Sequence, residues 1–211
     1  VMEIAKKYNL FVIEDCAQAP GATFKNHNVG LFGDLGVFSL NYHKHIHTGE
    51  GGVIVTNNNE IAEKLRLIRN HGVNIVGPRG DNDLINHWGY NFRMTEIESA
   101  IGIEQLKKLD NLIEARIQNV NYLESKLKNI KGLTLPYRHT ETKHVYYVHS
   151  IKYDKSFYNG LDRNKFVDAL KAELPTAYLR ETAPLIGAGY VKPLYLQPLY
   201  QKRSHPCSFN C

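Results

Sequence analysis

The sequence predicts an α/β fold built around parallel strands. Short apolar runs alternate with helical periods along its 211 residues, which is typical of strands and helices that pack in layers. Residues 10–13 (Leu-Phe-Val-Ile) are continuously apolar and are followed by Glu14 and Asp15, the pattern of a buried parallel strand. Residues 37–40 and 53–55 predict two further strands, and the second of these runs is entirely β-branched.

Glycines separate the predicted strands. Gly21, Gly30, Gly33 and Gly36 follow one another too closely for a long helix, so this stretch should consist of turns. The sequence Gly-Glu-Gly-Gly at 49–52 then interrupts the chain before the third strand. The first part of the chain is therefore expected to carry short strands joined by tight loops.

Helices are predicted between and after these strands. Residues 60–71 place Ile61, Leu65 and Ile68 at helical spacing. Residues 95–98 (Thr-Glu-Ile-Glu) have the form of a capping box, which predicts a helix beginning there.

A helical period then runs from 95 as far as Lys131 and restarts near Asp110. The region is long enough to connect two domains. Residues 145–148 and a helix over 162–174 are expected to open a second α/β unit.

Composition excludes several classes of protein. The formal net charge of +5 would suit an anionic ligand, but the basic residues are scattered without a stripe that could follow nucleic acid. No apolar run is long enough to cross a membrane, and the first residues lack the features of a secretory signal. The three cysteines, Cys16, Cys207 and Cys211, are too few for a disulfide framework, so a reducing, cytoplasmic location is expected.

Polar residues follow two of the predicted strands. Asp15 ends the first strand and Gln18 follows it, while Ser39 lies in the second, one residue before its predicted end, and Lys44 lies five residues beyond Ser39. In open α/β sheets, ligands bind at this carboxyl edge. Taken singly, a strand-end aspartate is more often a cap and a lysine near a glycine turn is more often solvated surface. Together with the glycine turn at 49–52, they indicate a ligand site.

The order of these segments resembles the DegT/DnrJ/EryC1/StrS family of pyridoxal-phosphate sugar aminotransferases. The resemblance rests on residues 12–22, 33–40, Lys44 and 48–52, and continues in residues 89–97, which contain Gly-Tyr-Asn-Phe-Arg. It spans nearly the whole chain, although by comparison with the family the first part of the large domain and the end of the small domain are absent.

This resemblance implies a fold of PLP-transferase type I, like aspartate aminotransferase, with a mainly parallel large-domain sheet. Residues 1–130 would then form part of the large cofactor-binding domain, including the interdomain helix. Residues 131–211 would form part of the small C-terminal α/β domain.

The resemblance also implies the cofactor and two catalytic residues. Lys44 occupies the family position of the lysine that binds the aldehyde of pyridoxal 5′-phosphate and later moves protons. Asp15 matches the carboxylate that keeps the pyridine nitrogen protonated, so that the ring can accept electrons.

Three further residues are expected to bind the cofactor. Gln18 would contact the ring or its 3′-oxygen, and Ser39 would hydrogen-bond the phosphate. Asn91 matches an asparagine that reaches the phosphate from a neighbouring subunit, which implies a homodimer with a shared active site. For Gln18 and Asn91 the alternative is a turn or loop side chain, and Arg93 is interpreted as structural.

The histidines beside Lys44 depart from the family pattern. His43, His45 and His47 alternate and could form a metal site if they lay on one strand face. No carboxylate or cysteine lies at ligand spacing and the stretch should be a loop, so no metal site is assigned and polar lining of the active site is preferred. His205, Cys207 and Cys211 resemble a metal cluster only superficially.

The implied activity is transfer of an amino group from glutamate to a nucleotide-linked keto sugar, giving an amino sugar for polysaccharide biosynthesis. Related enzymes that remove a sugar hydroxyl can have histidine in place of the lysine, but others keep the lysine and add an iron-sulfur cluster. The sequence has no clustered cysteines for such a cluster. A PLP-dependent sugar dehydratase and a non-catalytic PLP-binding regulator therefore remain as alternatives.

Overall fold

The computed structural model describes residues 1–73, 88–174, 186–189 and 192–201. The chain divides into two compact units. The first contains residues 1–129 and 135–151, and the second contains residues 130–134 together with the described residues after Ile151. Residues 135–151, which the sequence analysis assigns to the second domain, belong to the first unit.

Helices and short strands alternate along the chain. The helices are α1 (Met2–Tyr8), α2 (Asn59–Arg69), α3 (Glu96–Leu106), α4 (Leu109–Leu127), α5 (Arg163–Glu173) and α6 (Pro198–Gln201). The strands are β1 (Ile13–Asp15), β2 (Thr23–Phe24), β3 (His27–Asn28), β4 (Leu35–Ser39), β5 (Gly52–Val55), β6 (Leu133–Thr134), β7 (Thr142–Lys143) and β8 (Lys152–Tyr153). Among the described residues, no helix is both long and apolar enough to cross a membrane.

The main sheet of the first unit has the strand order β1-β4-β5. β1 and β4 are parallel, with Asp15 opposite Val37, whereas β4 and β5 are antiparallel. The described strands therefore form a mixed sheet, and the expectation of a mainly parallel sheet is not confirmed. A smaller antiparallel sheet of order β3-β2-β7 also belongs to this unit.

β1 is shorter and more exposed than the sequence predicts. It begins at Ile13 rather than Leu10, and the Ile13 side chain is 63% exposed. β1 lies at an edge of the sheet in the described part of the chain. The prediction of a parallel strand ending in Asp15 is confirmed, but the prediction that it is buried is wrong.

Local sequence signals define the helix ends. The Asn58 side chain accepts hydrogen bonds from two backbone amides at the start of α2. At the start of α3, Thr95 and Glu98 form the predicted capping box. The helical region restarts at Leu109, beside the predicted restart, and α4 buries Ile113 and Val120. These predictions of helix position are confirmed.

The second unit contains a short antiparallel pair and one well-capped helix. β6 pairs with β8, and Asp162 caps α5 through the Asn164 amide. The rings of Tyr153 and Phe166 stack at a centroid distance of 4.8 Å. The helix expected over 162–174 is thus confirmed.

Residues 145–148 do not open the second unit. They lie in the first unit without regular secondary structure. The Val145 carbonyl accepts a hydrogen bond from the His45 side chain instead of pairing with a strand, and Val145 is only 2% exposed. This segment therefore contributes to the core of the first unit.

Candidate functional site

Two of the predicted site residues end neighbouring parallel strands. Asp15 is the last residue of β1, and Ser39 is the last residue of β4. Because Asp15 pairs with Val37, Ser39 lies two residues further along the adjacent strand. The pairing brings the two side chains to the same edge of the sheet, as the sequence predicts, and this is the edge where α/β proteins bind ligands.

The Asp15 carboxylate lies at the surface of the described chain. Its Oδ1 atom accepts a hydrogen bond from the Ala17 amide at 3.1 Å, and the residue is exposed. The Ser39 hydroxyl oxygen accepts from the Asn41 amide at 3.2 Å, which leaves the hydroxyl hydrogen available for another acceptor. A carboxylate and a hydroxyl donor are therefore accessible at one sheet edge.

Glu14 holds the turn that precedes β4. Its carboxylate accepts hydrogen bonds from the backbone amides of Gly30 (2.8 Å), Phe32 (2.6 Å) and Gly33 (2.7 Å). In addition, the Asp34 carboxylate accepts from the Val12 amide at 2.7 Å. Together these bonds tie β1 to the chain that enters β4, and so they fix the register that sets Asp15 against Val37.

The glycines of this turn are required by packing as well as by backbone conformation. A Cβ atom on Gly36 would lie 2.3 Å from the Cα atom of Gly30, and Gly30 itself has a φ of +89°. A side chain at either position would separate the turn from β4. The predicted glycine turns are confirmed, and their function is to bring two backbone segments into direct contact.

Lys44 lies in a closed loop between β4 and β5. An isolated bridge joins Asn41 to Gly49 across the base of this loop, and the Asn41 amide donates to the Glu50 carboxylate at 2.8 Å. Thr48 is buried and donates its hydroxyl to the Glu50 carbonyl at 2.5 Å. The loop is therefore tied at its ends by short-range hydrogen bonds.

The Lys44 ammonium rests against an aromatic ring. Its Nζ atom lies 4.5 Å from the centroid of the Tyr147 ring, within the range of a cation–π interaction. The sequence analysis did not connect Tyr147 with Lys44. The two residues are far apart in the chain, so no local pattern links them.

His45 is part of the core. It is 6% exposed, and its Nε2 atom lies 2.8 Å from the Val145 carbonyl oxygen. Burial lowers the pKa of His45, and the nearby positive charges of Arg116 and Lys44 act in the same direction, while the hydrogen bond to Val145 opposes them. Its buried Nδ1 atom has no hydrogen-bond partner among the described residues.

The three histidines do not share a strand face. Residues 42–47 form a loop, as expected, and His43 is exposed with its ring 3.8 Å from that of Tyr42. Within the described ranges, the structure brings together no group of three His, Cys, Asp or Glu side chains that could hold a metal ion. His205, Cys207 and Cys211 lie outside the described residues.

Gln18 and Asn91 occupy different parts of the surface loops. Gln18 is exposed in the turn that follows β1, three residues after Asp15. Asn91 is exposed and forms an isolated bridge with Asn70.

The segment containing Asn91 is bound to the end of α2. A Cβ atom on Gly89 would lie 1.8 Å from the Gly72 amide nitrogen, and Arg93 donates to the buried Asn70 side chain at 2.7 Å. This contact agrees with the interpretation of Arg93 as a structural residue.

The sheet edge and the loop that follows β4 carry the chemistry that pyridoxal phosphate needs. A carboxylate (Asp15) suits a cationic ring nitrogen, a hydroxyl donor (Ser39) suits a phosphate, and a primary amine (Lys44) suits an aldehyde. No heavy atom lies within 4 Å of the Cβ position of Gly49, so the loop that carries Lys44 is open on one side. The functional groups of this edge and of the Lys44 loop therefore fit the cofactor.

Superposition on solved structures of other proteins supports the α/β fold. The structure superposes on Helicobacter pylori PseC, an aminotransferase involved in the biosynthesis of pseudoaminic acid, with a TM-score of 0.76 and 27% identity over 99% of this chain and 53% of that one. It also superposes on the E. coli GDP-4-keto-6-deoxy-D-mannose-3-dehydratase with bound hydrated PLP, with a TM-score of 0.68 and 34% identity over 80% of this chain and 46% of that one.

Sequence comparison identifies the family. The model of the DegT/DnrJ/EryC1/StrS aminotransferase family matches residues 1–210, and the chain belongs to this family. The GDP-perosamine synthase of Caulobacter vibrioides is 36% identical over 179 residues, which cover 82% of this chain and 46% of that protein. The chain spans about half the length of the curated relatives it matches.

Proposed function

We propose that this chain carries the cofactor-binding lysine and aspartate of a PLP-dependent sugar aminotransferase. The observation that carries the proposal is the placement of Asp15 and Ser39 at the ends of adjacent parallel strands, with Lys44 in the loop that follows β4. Membership of the aminotransferase family supports it, as does the similarity to a GDP-perosamine synthase.

Pyridoxal 5′-phosphate, when bound, supplies an aldehyde for the amino group and an electron-accepting ring. Lys44 would hold the cofactor through its Nζ atom and move the proton of the substrate carbon. Asp15 would hold a proton on the ring nitrogen through its carboxylate charge. The tied ends of the Lys44 loop limit the positions that the amine can reach, which favours a productive orientation.

The other cofactor contacts are proposed on the same basis. Ser39 would donate its hydroxyl hydrogen to the phosphate, and Gln18 would orient the ring from the turn after β1. Asn91, which is exposed, would reach the phosphate of a second subunit, so the active enzyme would be a homodimer. The first unit would be part of the large cofactor-binding domain and the second unit part of the small C-terminal domain.

The proposed reaction moves an amino group from glutamate to a keto carbon of a nucleotide-linked sugar in the cytoplasm. The name of the perosamine synthase relative supports a nucleotide-linked sugar, since that enzyme's product carries GDP. The amino sugar would serve polysaccharide biosynthesis.

A sugar dehydratase is the second candidate function, because one structural neighbour has that activity in its name and is 34% identical. The two candidates differ in their products. Mass spectrometry of the nucleotide sugar would reveal a gain of nitrogen for transamination and a loss of oxygen alone for dehydration. A regulator that only binds the cofactor would give neither product.

The test of the cofactor site is covalent labelling. The protein is incubated with pyridoxal 5′-phosphate, reduced with borohydride and digested for peptide mapping. We expect the pyridoxyl group on Lys44, its loss in Lys44→Ala, and its retention in the matched control Lys25→Ala. A label that remains on another lysine in Lys44→Ala, with none on Lys44 in the unsubstituted protein, would contradict the proposal.

A further inference from the structure

Asn41 is hydrogen-bonded to two of the residues assigned to the cofactor. Its backbone amide donates to the Ser39 hydroxyl oxygen at 3.2 Å, and its backbone carbonyl accepts from the Lys44 amide at 2.9 Å. A hydroxyl oxygen that accepts one hydrogen bond must direct its own hydrogen elsewhere, so Asn41 restricts the directions in which Ser39 can donate. One residue therefore connects the proposed phosphate donor with the proposed cofactor lysine.

The Asn41 side chain closes a turn that ends in Lys44. The bond from the Lys44 amide to the Asn41 carbonyl spans three residues, as in a β-turn. The Oδ1 atom of Asn41 also accepts from the His43 amide at 3.1 Å, a bond that favours asparagine at the first position of such turns. The Lys44 amide and the amide before it are therefore both bonded to Asn41.

Glu50 fixes the orientation of the Asn41 side-chain amide. The Nδ2 atom of Asn41 donates to the Glu50 carboxylate at 2.8 Å, and the negative charge of the acceptor strengthens this bond. Rotation of the amide by half a turn would place its oxygen against the carboxylate and its hydrogens against the His43 amide, so both bonds would be lost. The Glu50 carboxylate thus selects the orientation that closes the turn.

The glycines on either side of Glu50 determine its position. Gly49 and Gly51 have φ values of +93° and +141°, which residues with a side chain rarely adopt. The buried Thr48 donates its hydroxyl to the Glu50 carbonyl at 2.5 Å. These features hold the backbone of Glu50 where its side chain reaches back across the base of the loop to Asn41.

We propose that Asn41 is a positioning residue of the candidate site and that Glu50 holds its side chain in the working orientation. Asn41 acts through Ser39 and Lys44, by fixing the chain that runs from one to the other. A turn that is fixed in advance loses little conformational freedom when the lysine amine reacts with an aldehyde. This inference rests on the proposed aminotransferase function and adds a residue to it.

The experiment measures how fast Lys44 of the 211-residue protein is labelled by pyridoxal 5′-phosphate, with borohydride added at intervals and peptide mapping of the product. Asn41→Asp places two carboxylates against each other and should slow labelling by about tenfold. Glu50→Gln keeps an oxygen acceptor for Asn41 and should change the rate by less than about twofold. In the variant that carries both substitutions, the introduced glutamine can donate to the introduced aspartate, so most of the rate should return.

Pyridoxal, which has no phosphate, separates placement of Lys44 from repulsion between a phosphate and an added carboxylate. Asn41→Asp should slow labelling by both aldehydes, and slower labelling by pyridoxal 5′-phosphate alone would overturn the inference. Asn119→Asp makes the same chemical change on the exposed surface of α4. It is the matched control and should be labelled as fast as the unsubstituted protein.

Circular dichroism establishes whether each variant is folded. If Asn41→Asp does not fold, Glu50→Ala and Glu50→Gln test the same pair at an exposed residue, and only the alanine variant should slow labelling, by about fivefold. Equal rates for these two Glu50 variants would overturn the inference. So would an unchanged rate in folded Asn41→Asp, or failure of the second substitution to raise it. Absence of the label from Lys44 of the unsubstituted protein would contradict the proposed function itself, and this inference with it.

Discussion

The Nζ atom of Lys44 lies 4.5 Å from the centroid of the Tyr147 ring. This contact joins the loop between β4 and β5 to the irregular segment that follows β7. The next residue of the loop also contacts this segment, because His45 is hydrogen-bonded to the Val145 carbonyl. Two successive residues of the loop are thus fixed by one distant segment.

We expect a double-mutant cycle to measure this contact. Lys44→Met and Tyr147→Leu, alone and combined, should give a coupling free energy of unfolding of about 0.5–1 kcal/mol, as for other cation–π pairs at partly exposed sites. Urea denaturation supplies the four free energies. Tyr147→Phe keeps an aromatic face and is the matched control, so the cycle of Tyr147→Phe with Lys44→Met should give a coupling free energy close to zero. Strictly additive effects in the leucine cycle would contradict the contact.

The helix cap at Thr95 could be predicted from the sequence, whereas the contact of Lys44 with Tyr147 could not. The capping box of Thr95 and Glu98 is local, so its pattern is readable within four residues. The strand-end position of Asp15 also follows from a short apolar run, and that of Ser39 follows to within one residue. The contact of Lys44 with Tyr147 and the exposure of Ile13 depend on which distant segments pack together, and periodicity carries no information about that choice.

The position of Glu14 could be predicted from the sequence, but its hydrogen bonds were not predicted. The sequence placed it at the end of a strand but gave it no function, although its carboxylate binds three backbone amides in the structure. A signal was present, because a turn that contains Gly30 and Gly33 has amides that no regular element can satisfy. A carboxylate beside such a turn is a candidate acceptor for them.

Glu14→Ala should lower the free energy of unfolding by about 2 kcal/mol, because it removes a charged acceptor from three partly buried amides. Glu14→Gln keeps one oxygen acceptor and should cost about half as much. Chemical denaturation measures both values. Glu114→Ala, on the exposed surface of α4, is the control and should change stability by less than about 0.5 kcal/mol. If Glu14→Ala were as mild as that control, these hydrogen bonds would have no net effect on stability.

Cys16 should react slowly with alkylating reagents in the folded protein. Burial raises the pKa of its thiol from 9.0 to about 11, and the carboxylates of Glu14 and Asp15 contribute to the increase. At pH 8 this difference lowers the fraction of reactive thiolate by about a hundredfold, and burial of the side chain also restricts access.

The measurement is iodoacetamide labelling followed by mass spectrometry of the peptide that contains Cys16. The same peptide from urea-denatured protein is the control and should be labelled rapidly. Asp15→Asn removes one nearby negative charge and should increase the rate modestly in the folded state. Equal rates in folded and denatured protein would exclude a buried thiol.

The stability of the first unit should fall as the pH decreases below about 6.5, the ordinary pKa of histidine. Burial lowers the pKa values of His45 and His144 in the folded state, so the unfolded chain binds their protons first. The stabilisation is complete above the ordinary value and is lost as the pH falls toward the lowered values. The groups that oppose a proton on His45 are Arg116, Lys44 and His144.

Urea denaturation between pH 8 and pH 5 tests this dependence. His45→Gln removes one titrating group and should therefore make the free energy of unfolding less dependent on pH. His144→Gln should have a smaller effect in the same direction, because His144 is exposed whereas His45 is buried. Comparison at pH 8, where both imidazoles are neutral in either state, isolates the cost of each substitution in packing and hydrogen bonding. The variant that carries both substitutions should show the weakest pH dependence. If its pH dependence equalled that of the unsubstituted protein, these two rings would not bind fewer protons in the folded protein than in the unfolded chain.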